Sequence, residues 1–188
     1  MEVVDLLEGK IVNLRLLERE DFPLFAEWLN KPEVFGQYNP LHQVTNDEVG
    51  KILDSPLEMK PFIIENKQGK KVGFISYFNV LHPATRLLEV GFSLVPEERG
   101  KGYGTEALTM IVDLLFLTKE VNRIQAQTHS ENLASHRILE TVGFKKEGVL
   151  RKSIFIGGEW VDSWVYGILR EEWGEPKRLT KSNLYRLP

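Results

Sequence analysis

The 188-residue chain contains no cysteine. This absence excludes disulfides, thiolate catalysis and metal sites built from cysteine, and it fits a reducing cellular interior. The chain also lacks a basic excess, because 24 lysines and arginines stand against 27 aspartates and glutamates, for a net charge of −3. That balance gives no general electrostatic attraction to nucleic acid or to an anionic membrane surface. We therefore expect neither as a partner.

Long apolar runs are missing as well. No run approaches the roughly 18 residues that a membrane-spanning helix needs. The first ten residues, MEVVDLLEGK, are acidic and lack the basic segment that opens a secretory signal peptide. No repeat or low-complexity tract divides the chain, whose length is that of one domain. The sequence thus predicts a soluble, cytoplasmic domain over residues 1–170. A charged tail over 171–188 is expected to form an arm or to be partly disordered.

The spacing of apolar residues predicts seven strands and four helices, in the order β-α-α-β-β-β-α-β-α-β-β. The predicted strands cover residues 10–17, 61–65, 71–80, 87–95, 123–128, 147–156 and 160–169. The predicted helices cover residues 22–29, 45–55, 105–117 and 132–142. The fourth strand is nearly all apolar and is expected to be central and buried on both faces. This order indicates a mixed α/β (α+β) fold with a mostly antiparallel sheet.

The stretch VPEERGKGYGTEAL connects that fourth strand to a predicted helix and carries glycines at alternate positions, Gly100, Gly102 and Gly104. A helix N-terminus presents free backbone N–H groups and the positive end of a dipole, which together favour an anion. Glycine lets the backbone come close to a phosphate, and Arg99 and Lys101 add positive charge. The stretch is either a pyrophosphate site or simply a glycine-rich turn at a helix start.

Two common nucleotide motifs do not match this stretch. A P-loop needs serine or threonine after its lysine, whereas Lys101 is followed by Gly102. The dinucleotide fingerprint needs G-x-G-x-x-G, whereas this stretch has G-x-G-x-G. A nucleotide-binding protein is therefore disfavoured. The pattern R-x-x-G-x-G at Arg99, Gly102 and Gly104 instead resembles the acyl-CoA pyrophosphate loop of the GNAT N-acetyltransferase superfamily.

The resemblance extends beyond the loop. Residues 88–94 resemble the fourth strand of that family, residues 132–135 its N-x-x-S, and residues 143–148 its G-F-x-x-E-G. Residues 13–21 resemble the opening L-R-x-L-x-x-x-D of the RimJ/RimL-like branch, whose best-known members acetylate the N-termini of ribosomal proteins. The motifs together span about residues 10–170 and are specific as an ordered set. The resemblance implies a sheet of about seven strands with about four helices, in which strands four and five splay apart.

The resemblance also implies acetyl-CoA as cosubstrate, no metal, and direct transfer of the acetyl group without an acyl-enzyme. The pantetheine arm would lie between the splayed strands, and the pyrophosphate would lie on the N–H groups of residues 99–105. The residues expected to bind the cosubstrate are Phe92, Leu94, Val95, Arg99, Gly100, Lys101, Gly102, Tyr103, Gly104, Thr105, Asn132 and Ser135.

Two residues are the candidates for catalysis. Glu89 lies on the predicted buried strand, where burial would raise its pKa and suit it to accept a proton from the amine. The alternative for Glu89 is a structural carboxylate that pairs with Arg86 or faces solvent. Many relatives place a tyrosine where this chain has Leu139, so the resemblance points to Ser135 as the residue that contacts sulfur. The alternative for Ser135 is a serine on the helix surface.

The resemblance points to Trp28, Phe35 and Tyr38 as walls of the acceptor pocket, with core packing as the alternative for Trp28. The acceptor that the branch implies is the α-amine of a protein N-terminus. A polyamine, an aminoglycoside or an amino sugar remains an alternative, and so does an acyl-CoA-binding module without activity. A polyamine site would require clustered carboxylates. The candidates in the sequence are Glu33, Asp47, Glu48 and Asp54. A homodimer is left open.

Overall fold

The computed structural model describes residues 6–40, 43–53, 59–80 and 87–179, which form eight strands, six helices and two short 3₁₀ turns. The strands are β1 (Leu6–Glu8), β2 (Val12–Leu16), β3 (Lys60–Asn66), β4 (Lys71–Asn79), β5 (Leu88–Leu94), β6 (Arg123–His129), β7 (Lys145–Ile156) and β8 (Glu159–Leu169). The helices are α1 (Phe22–Asn30), α2 (Pro32–Phe35), α3 (Asn46–Leu53), α4 (Tyr103–Thr118), α5 (Leu133–Val142) and α6 (Arg170–Trp173).

All eight strands belong to one sheet, in the order β1-β2-β3-β4-β5-β6-β8-β7. In the described part of the chain β5 and β6 run parallel, and every other pair of neighbouring strands is antiparallel. The predicted mixed, mostly antiparallel fold is therefore confirmed. The sequence missed the three-residue β1, which is too short to show an alternating pattern and pairs with β2 at the sheet edge.

Two hydrophobic cores cover the two faces of this sheet. The larger core packs α4 and α5 against one face and includes Leu108, Ile111 and Ile124. The smaller core packs α1, α2 and α3 against the other face around Phe25 and Phe74. β5 lies between them, as predicted. However, Glu89, Gly91 and Phe92 are only half-buried, because this part of the strand lines the clefts described below.

The start of α1 is fixed by the fully buried carboxylate of Asp21. Arg15 donates two hydrogen bonds to it, at 2.9 and 3.0 Å, and Lys71 donates a third at 2.7 Å. Burial alone would raise the pKa of Asp21, but the hydrogen bonds from Arg15 and Lys71 hold this pKa well below its ordinary value. The carboxylate thus ties the start of α1 to β2 and β4.

A second buried carboxylate, Asp113 on α4, holds the C-terminal segment in place. Its Oδ2 accepts the backbone N–H groups of Lys177, Arg178 and Leu179 at 3.0, 2.6 and 3.0 Å. Its Oδ1 accepts the indole N–H of Trp173 at 2.8 Å, and Leu179 is fully buried. Residues 173–179 are therefore anchored to the domain through Trp173 and Leu179, while most residues of this segment are exposed. The rest of the predicted tail, residues 180–188, lies outside the described residues.

Candidate functional site

The sheet opens into a fork between β5 and β6. Only two residue pairs join these strands, Leu88 with Ile124 and Glu89 with Gln125. From Val90 to Leu94, β5 has no strand partner on this side among the described residues, so that part of its edge is open. This fork matches the splay that the resemblance implied for the fourth and fifth predicted strands, which are β5 and β6.

Two adjoining clefts occupy the fork. The glycine-loop cleft, of about 620 Å³, is lined by residues 32–39, 92–94, 99–100, 102–105, 132, 134, 135 and 138. The aromatic cleft, of about 450 Å³, is lined by Phe25, Leu29, Phe35, Tyr38, Asn39, Met59, Phe74, Ser76, Phe78, residues 89–92, residues 126–129, Asn132, Ser135, Leu139 and Ile154. The two clefts share Phe35, Tyr38, Asn39, Phe92, Asn132 and Ser135. A molecule in one cleft can therefore reach a molecule in the other.

The N-terminus of α4 faces the glycine-loop cleft. Gly102 occupies the N-cap with a φ of 84°, and no side chain of the described residues caps the helix. The N–H of Glu106 makes the first intrahelical bond, to the carbonyl of Gly102 at 3.1 Å. The N–H groups of Tyr103, Gly104 and Thr105 therefore lack helical acceptors and favour an anion. The arrangement fits a pyrophosphate.

Gly104 allows close packing where this cleft narrows. A Cβ atom at this position would lie 3.2 Å from Cδ1 of Ile138 on α5 and 3.5 Å from Cδ1 of Leu94 on β5. Any side chain here would therefore push into the space that separates α4 from α5 and from the open edge of β5. The backbone of α4 can approach a ligand in this cleft because the residue is glycine.

Arg99 and Lys101 were both expected to add positive charge to the pyrophosphate site. In the structure their side chains have different partners. Arg99 lines the glycine-loop cleft and donates from Nε to the carbonyl of Leu94 at 3.1 Å. Its guanidinium also donates to the carbonyl of Glu33, which connects the loop to α2. Lys101 lines neither cleft, because its Nζ donates to the buried carboxylate of Glu98 at 2.8 Å. The side chain of Lys101 is therefore engaged outside the clefts, and its part in binding the pyrophosphate stays a prediction for its backbone N–H.

The backbone of Val95 is hydrogen-bonded within the protein. Its N–H donates to the carbonyl of Val72 at 3.0 Å, and its own carbonyl accepts the N–H of Glu98 at 3.0 Å. Both backbone groups are thus engaged, and Val95 lines neither cleft. Phe92 and Leu94, the other strand residues expected near the pantetheine arm, do line the glycine-loop cleft.

The start of α5 lies between the two clefts. Asn132 is the N-cap, and its Oδ1 accepts the backbone N–H of Ser135 at 3.1 Å. Both residues line both clefts. One turn later, Leu139 is buried and presents an apolar surface to the aromatic cleft, with no hydroxyl. The hydroxyl of Ser135 is therefore the polar side-chain group that this face of α5 offers next to the fork.

Glu89 lies in the aromatic cleft, at the apex of the fork. Gln125 donates a hydrogen bond from Nε2 to its Oε2 at 3.0 Å. Burial raises the pKa of Glu89 above its ordinary value, and the hydrogen bond from Gln125 partly opposes that rise. A half-buried carboxylate with a raised pKa is suited to take a proton from an ammonium group. Arg86, its suggested structural partner, lies outside the described residues.

The three aromatic residues predicted to line the acceptor pocket do not all lie at the clefts. Phe35 and Tyr38 line both clefts, and the ring of Tyr38 lies 4.9 Å from that of His129. Trp28 lines neither cleft, because it is 4% exposed in the smaller core and stacks on Phe74. The burial of Trp28 favours its core alternative over a role as a wall of the acceptor pocket.

Sequence reasoning missed most of the floor of the aromatic cleft. Phe74, Ser76 and Phe78 come from β4, and Gly91 comes from β5. The alternation along β4 places Phe74, Ser76 and Phe78 on one face and was the available signal. Which face would border a cleft depends on how β4 pairs with β5, and this register is not legible in the sequence.

No group of three or more potential metal ligands occurs among the described residues. His42 and His82 lie outside them. No helix in the described ranges is both long and apolar enough to cross a bilayer.

Comparison with known proteins bears on this site. A family model described as an acetyltransferase (GNAT) domain matches residues 12–145. The "uncharacterized N-acetyltransferase p20" of Bacillus licheniformis is 30% identical over 168 residues, covering 86% of this chain and 94% of that protein. The [ribosomal protein uS5]-alanine N-acetyltransferase of Escherichia coli is 28% identical over 102 residues, about half of each chain.

Solved structures agree in fold. Mycobacterium smegmatis RimJ, in complex with CoA-disulfide, superposes with a TM-score of 0.74 at 26% identity, covering 93% of this chain and 90% of that chain. Spermidine N-acetyltransferase from Vibrio cholerae, in complex with CoA and spermine, gives a TM-score of 0.77 at 23% identity, covering 87% and 98%. The second likeness shows the fold alone.

The family match covers most of the chain and includes the fork, the glycine loop and the start of α4. Enzymes of this family use acetyl-CoA, which agrees with the uncapped helix N-terminus in the glycine-loop cleft. The chain belongs to the GNAT family and is an N-acetyltransferase that uses acetyl-CoA.

Proposed function

We propose that this enzyme acetylates the N-terminal α-amine of a protein, an acceptor of the ribosomal-protein type, by direct attack of the amine on the thioester. The observation that carries the proposal is the junction of the two clefts at the open edge of β5. Two molecules, one in each cleft, would meet at this junction, next to Glu89 and Ser135. With such an acceptor, the reaction would take place in the cytoplasm.

The glycine-loop cleft would hold acetyl-CoA, which supplies the activated acetyl group. The N–H groups of Tyr103, Gly104 and Thr105 would bind the pyrophosphate, and Arg99 would add charge to the same cleft. The unpaired edge of β5 beyond Glu89 would offer backbone groups to the amide groups of the pantetheine arm. These contacts position the thioester and so supply the entropic part of catalysis.

Glu89 would act as the proton acceptor. An ammonium ion has no lone pair, so the amine must lose one proton before, or as, its nitrogen forms the bond to the acetyl carbon. The carbon–sulfur bond then breaks, the sulfur leaves with the electron pair as a thiolate, and the nitrogen gives up its second proton to solvent, which leaves a neutral amide. The Ser135 hydroxyl would donate a hydrogen bond to that sulfur. This assignment gives the chain a polar group near sulfur although Leu139 supplies none.

The alternatives receive less support from the site. The relatives include enzymes named for a ribosomal protein and for spermidine. A polyamine needs several carboxylates, and Glu33, Asp47 and Glu48 do not line the aromatic cleft, while Asp54 lies outside the described residues. An acyl-CoA-binding module without activity was suggested only by Leu139, and a carboxylate with a raised pKa at the fork speaks against it.

The first test is calorimetric titration of the wild-type chain and of an Arg99→Glu/Gly102→Asp double variant with acetyl-CoA. We expect micromolar binding by the wild type and none by the double variant. CoA release is then measured with peptides that have a free α-amine and with the same peptides after N-terminal blocking. Turnover of the peptides with a free α-amine, and not of the blocked peptides, supports the proposal. Binding of acetyl-CoA with turnover of polyamines, and not of peptides, would contradict it.

A further inference from the structure

We propose that the acceptor carries one positive charge and a bulky apolar or aromatic group beside its amine. For a protein acceptor this means an N-terminal residue such as phenylalanine, leucine or methionine, rather than alanine, serine or glycine. The inference rests on the proposed function and deepens it by naming the substrate class of the aromatic cleft.

The first argument concerns charge. Among the described residues that line the aromatic cleft, Glu89 is the only carboxylate. One carboxylate can balance one ammonium group, which is the amine that reacts. A second ammonium group, as in a polyamine, would lie among apolar side chains without a partner, and an unpaired charge in such surroundings is strongly disfavoured. The described lining of the cleft therefore offers a charge partner to one ammonium group.

The second argument concerns the walls around Glu89. Antiparallel pairing places Phe78 directly opposite Glu89 on the same face of the sheet. Phe25 and Phe74 also line this cleft but are buried in the smaller core, so the rings left open to a ligand are those of Phe78 and Phe35. An apolar group attached next to the ammonium would displace water from these rings, with a favourable free energy in proportion to its buried area. A methyl or hydroxymethyl group would cover much less of this surface.

The third argument concerns space. Gly91 lies on β5 two residues beyond Glu89, and a Cβ atom at this position would have no other atom within 4 Å. Because successive residues of a strand alternate between its faces, Gly91 faces the same side as Glu89. The missing side chain thus leaves open volume on the face of the sheet that carries Glu89, at the position opposite Ser76 of β4. We assign this volume to the acceptor's side chain.

The test compares acceptors at saturating acetyl-CoA by continuous measurement of CoA release. The peptides are identical except for a first residue of phenylalanine, leucine, methionine, alanine or serine, and phenethylamine and spermidine are measured beside them. We expect kcat/KM for the bulky apolar first residues to exceed that for alanine and serine at least tenfold, with little activity toward spermidine.

Each other outcome has a distinct meaning. Equal or better turnover of alanine or serine peptides would overturn this inference and leave the proposed function standing. Turnover of phenethylamine without any peptide would overturn the proposed function and keep the inference. Turnover of spermidine above the others, or of no amine at all, would overturn both.

Two variants test the assignment of the volume. Gly91→Val fills the space beside Glu89 without a clash at its Cβ, and we expect it to lower the ratio of kcat/KM for the phenylalanine peptide over the alanine peptide at least fivefold. Phe78→Ala should lower the same ratio by removing the opposing ring. Phe155→Ala is the matched control, because Phe155 is 51% exposed on β7 and lines neither cleft. An unchanged ratio in Gly91→Val, in a variant that melts like the wild type, would overturn the assignment.

Discussion

Oε2 of Glu89 accepts a hydrogen bond from the side-chain amide of Gln125 over 3.0 Å, within the last residue pair that joins β5 to β6. The carboxylate is thus fixed at the point where the two strands separate. Burial raises the pKa of Glu89 and this hydrogen bond lowers it, so the two residues together set the proton affinity of the candidate base. This relationship makes the role of Glu89 testable through pH.

We expect Glu89→Gln to reduce kcat at least tenfold and to change the KM for acetyl-CoA less than twofold. The amide is similar in size but cannot accept a proton from the amine, so the acidic limb of the pH–rate profile should disappear. A wild-type profile in Glu89→Gln would rule out the role. Because the folded-state pKa of Glu89 is raised, its ionisation disfavours the folded state as pH rises through that pKa. The variant should therefore be at least as stable as the wild type at pH 8.

Gln125→Leu should move the same acidic limb to higher pH. The substitution removes the hydrogen bond that lowers the pKa of Glu89 and leaves the burial that raises it. Since the base acts when deprotonated, activity should fall more at pH 6 than at pH 8, as measured by kcat across the range. Gln127→Leu is a useful comparison, because Gln127 bonds to Ser163 rather than to Glu89. A shift of equal size in both variants would speak against a specific effect of Gln125.

Arg99→Met and Lys101→Met should affect acetyl-CoA binding to different extents, although both residues belong to the glycine loop. Arg99 lines the glycine-loop cleft, whereas Lys101 is paired with Glu98 and lines neither cleft. We expect Arg99→Met to raise the Kd for acetyl-CoA about tenfold and Lys101→Met to change it less than twofold. Calorimetric titration of both variants measures this difference. Equal weakening would mean that long-range charge, not the cleft, dominates binding.

Ser135→Ala should lower kcat about three- to tenfold with little change in the KM for the acceptor. The alanine keeps the backbone N–H that Asn132 caps, so the start of α5 should be preserved while the hydroxyl is lost. Thr141→Ala is the control on the same helix, since Thr141 is exposed and lines neither cleft. Steady-state rates of CoA release test both. Wild-type kcat in Ser135→Ala would leave Ser135 as a residue of the cleft wall.

Asp113→Ala should reduce the free energy of unfolding by about 3 kcal/mol or more, because four donors of the C-terminal segment lose a buried acceptor. Asp47→Ala, an exposed position in the first turn of α3, should cost less than about 1 kcal/mol. Denaturant unfolding of the two variants gives the comparison. A loss of similar size in both would mean that the segment adds little to stability.

The sequence predictions were accurate where they depended on residues close together in the chain, and less so where they depended on distant residues. The long elements were recognised because their apolar spacing is local, as in α4 and β5. The anchoring of residues 173–179 was not predicted because its acceptor, Asp113, lies about 60 residues earlier in the chain. A charged segment with a proline carries no local sign that one buried carboxylate will bind three of its N–H groups.

The sequence by itself determined the fold class, the family and the position of the glycine loop, because these depend on hydrophobic period, glycine spacing and the order of motifs. Tertiary structure alone decided which residues face the clefts. It paired Lys101 with Glu98, placed Trp28 in the core, and set Phe78 opposite Glu89. Those outcomes depend on strand register and on contacts between residues far apart in the chain. A linear pattern of residue types does not encode such contacts in readable form.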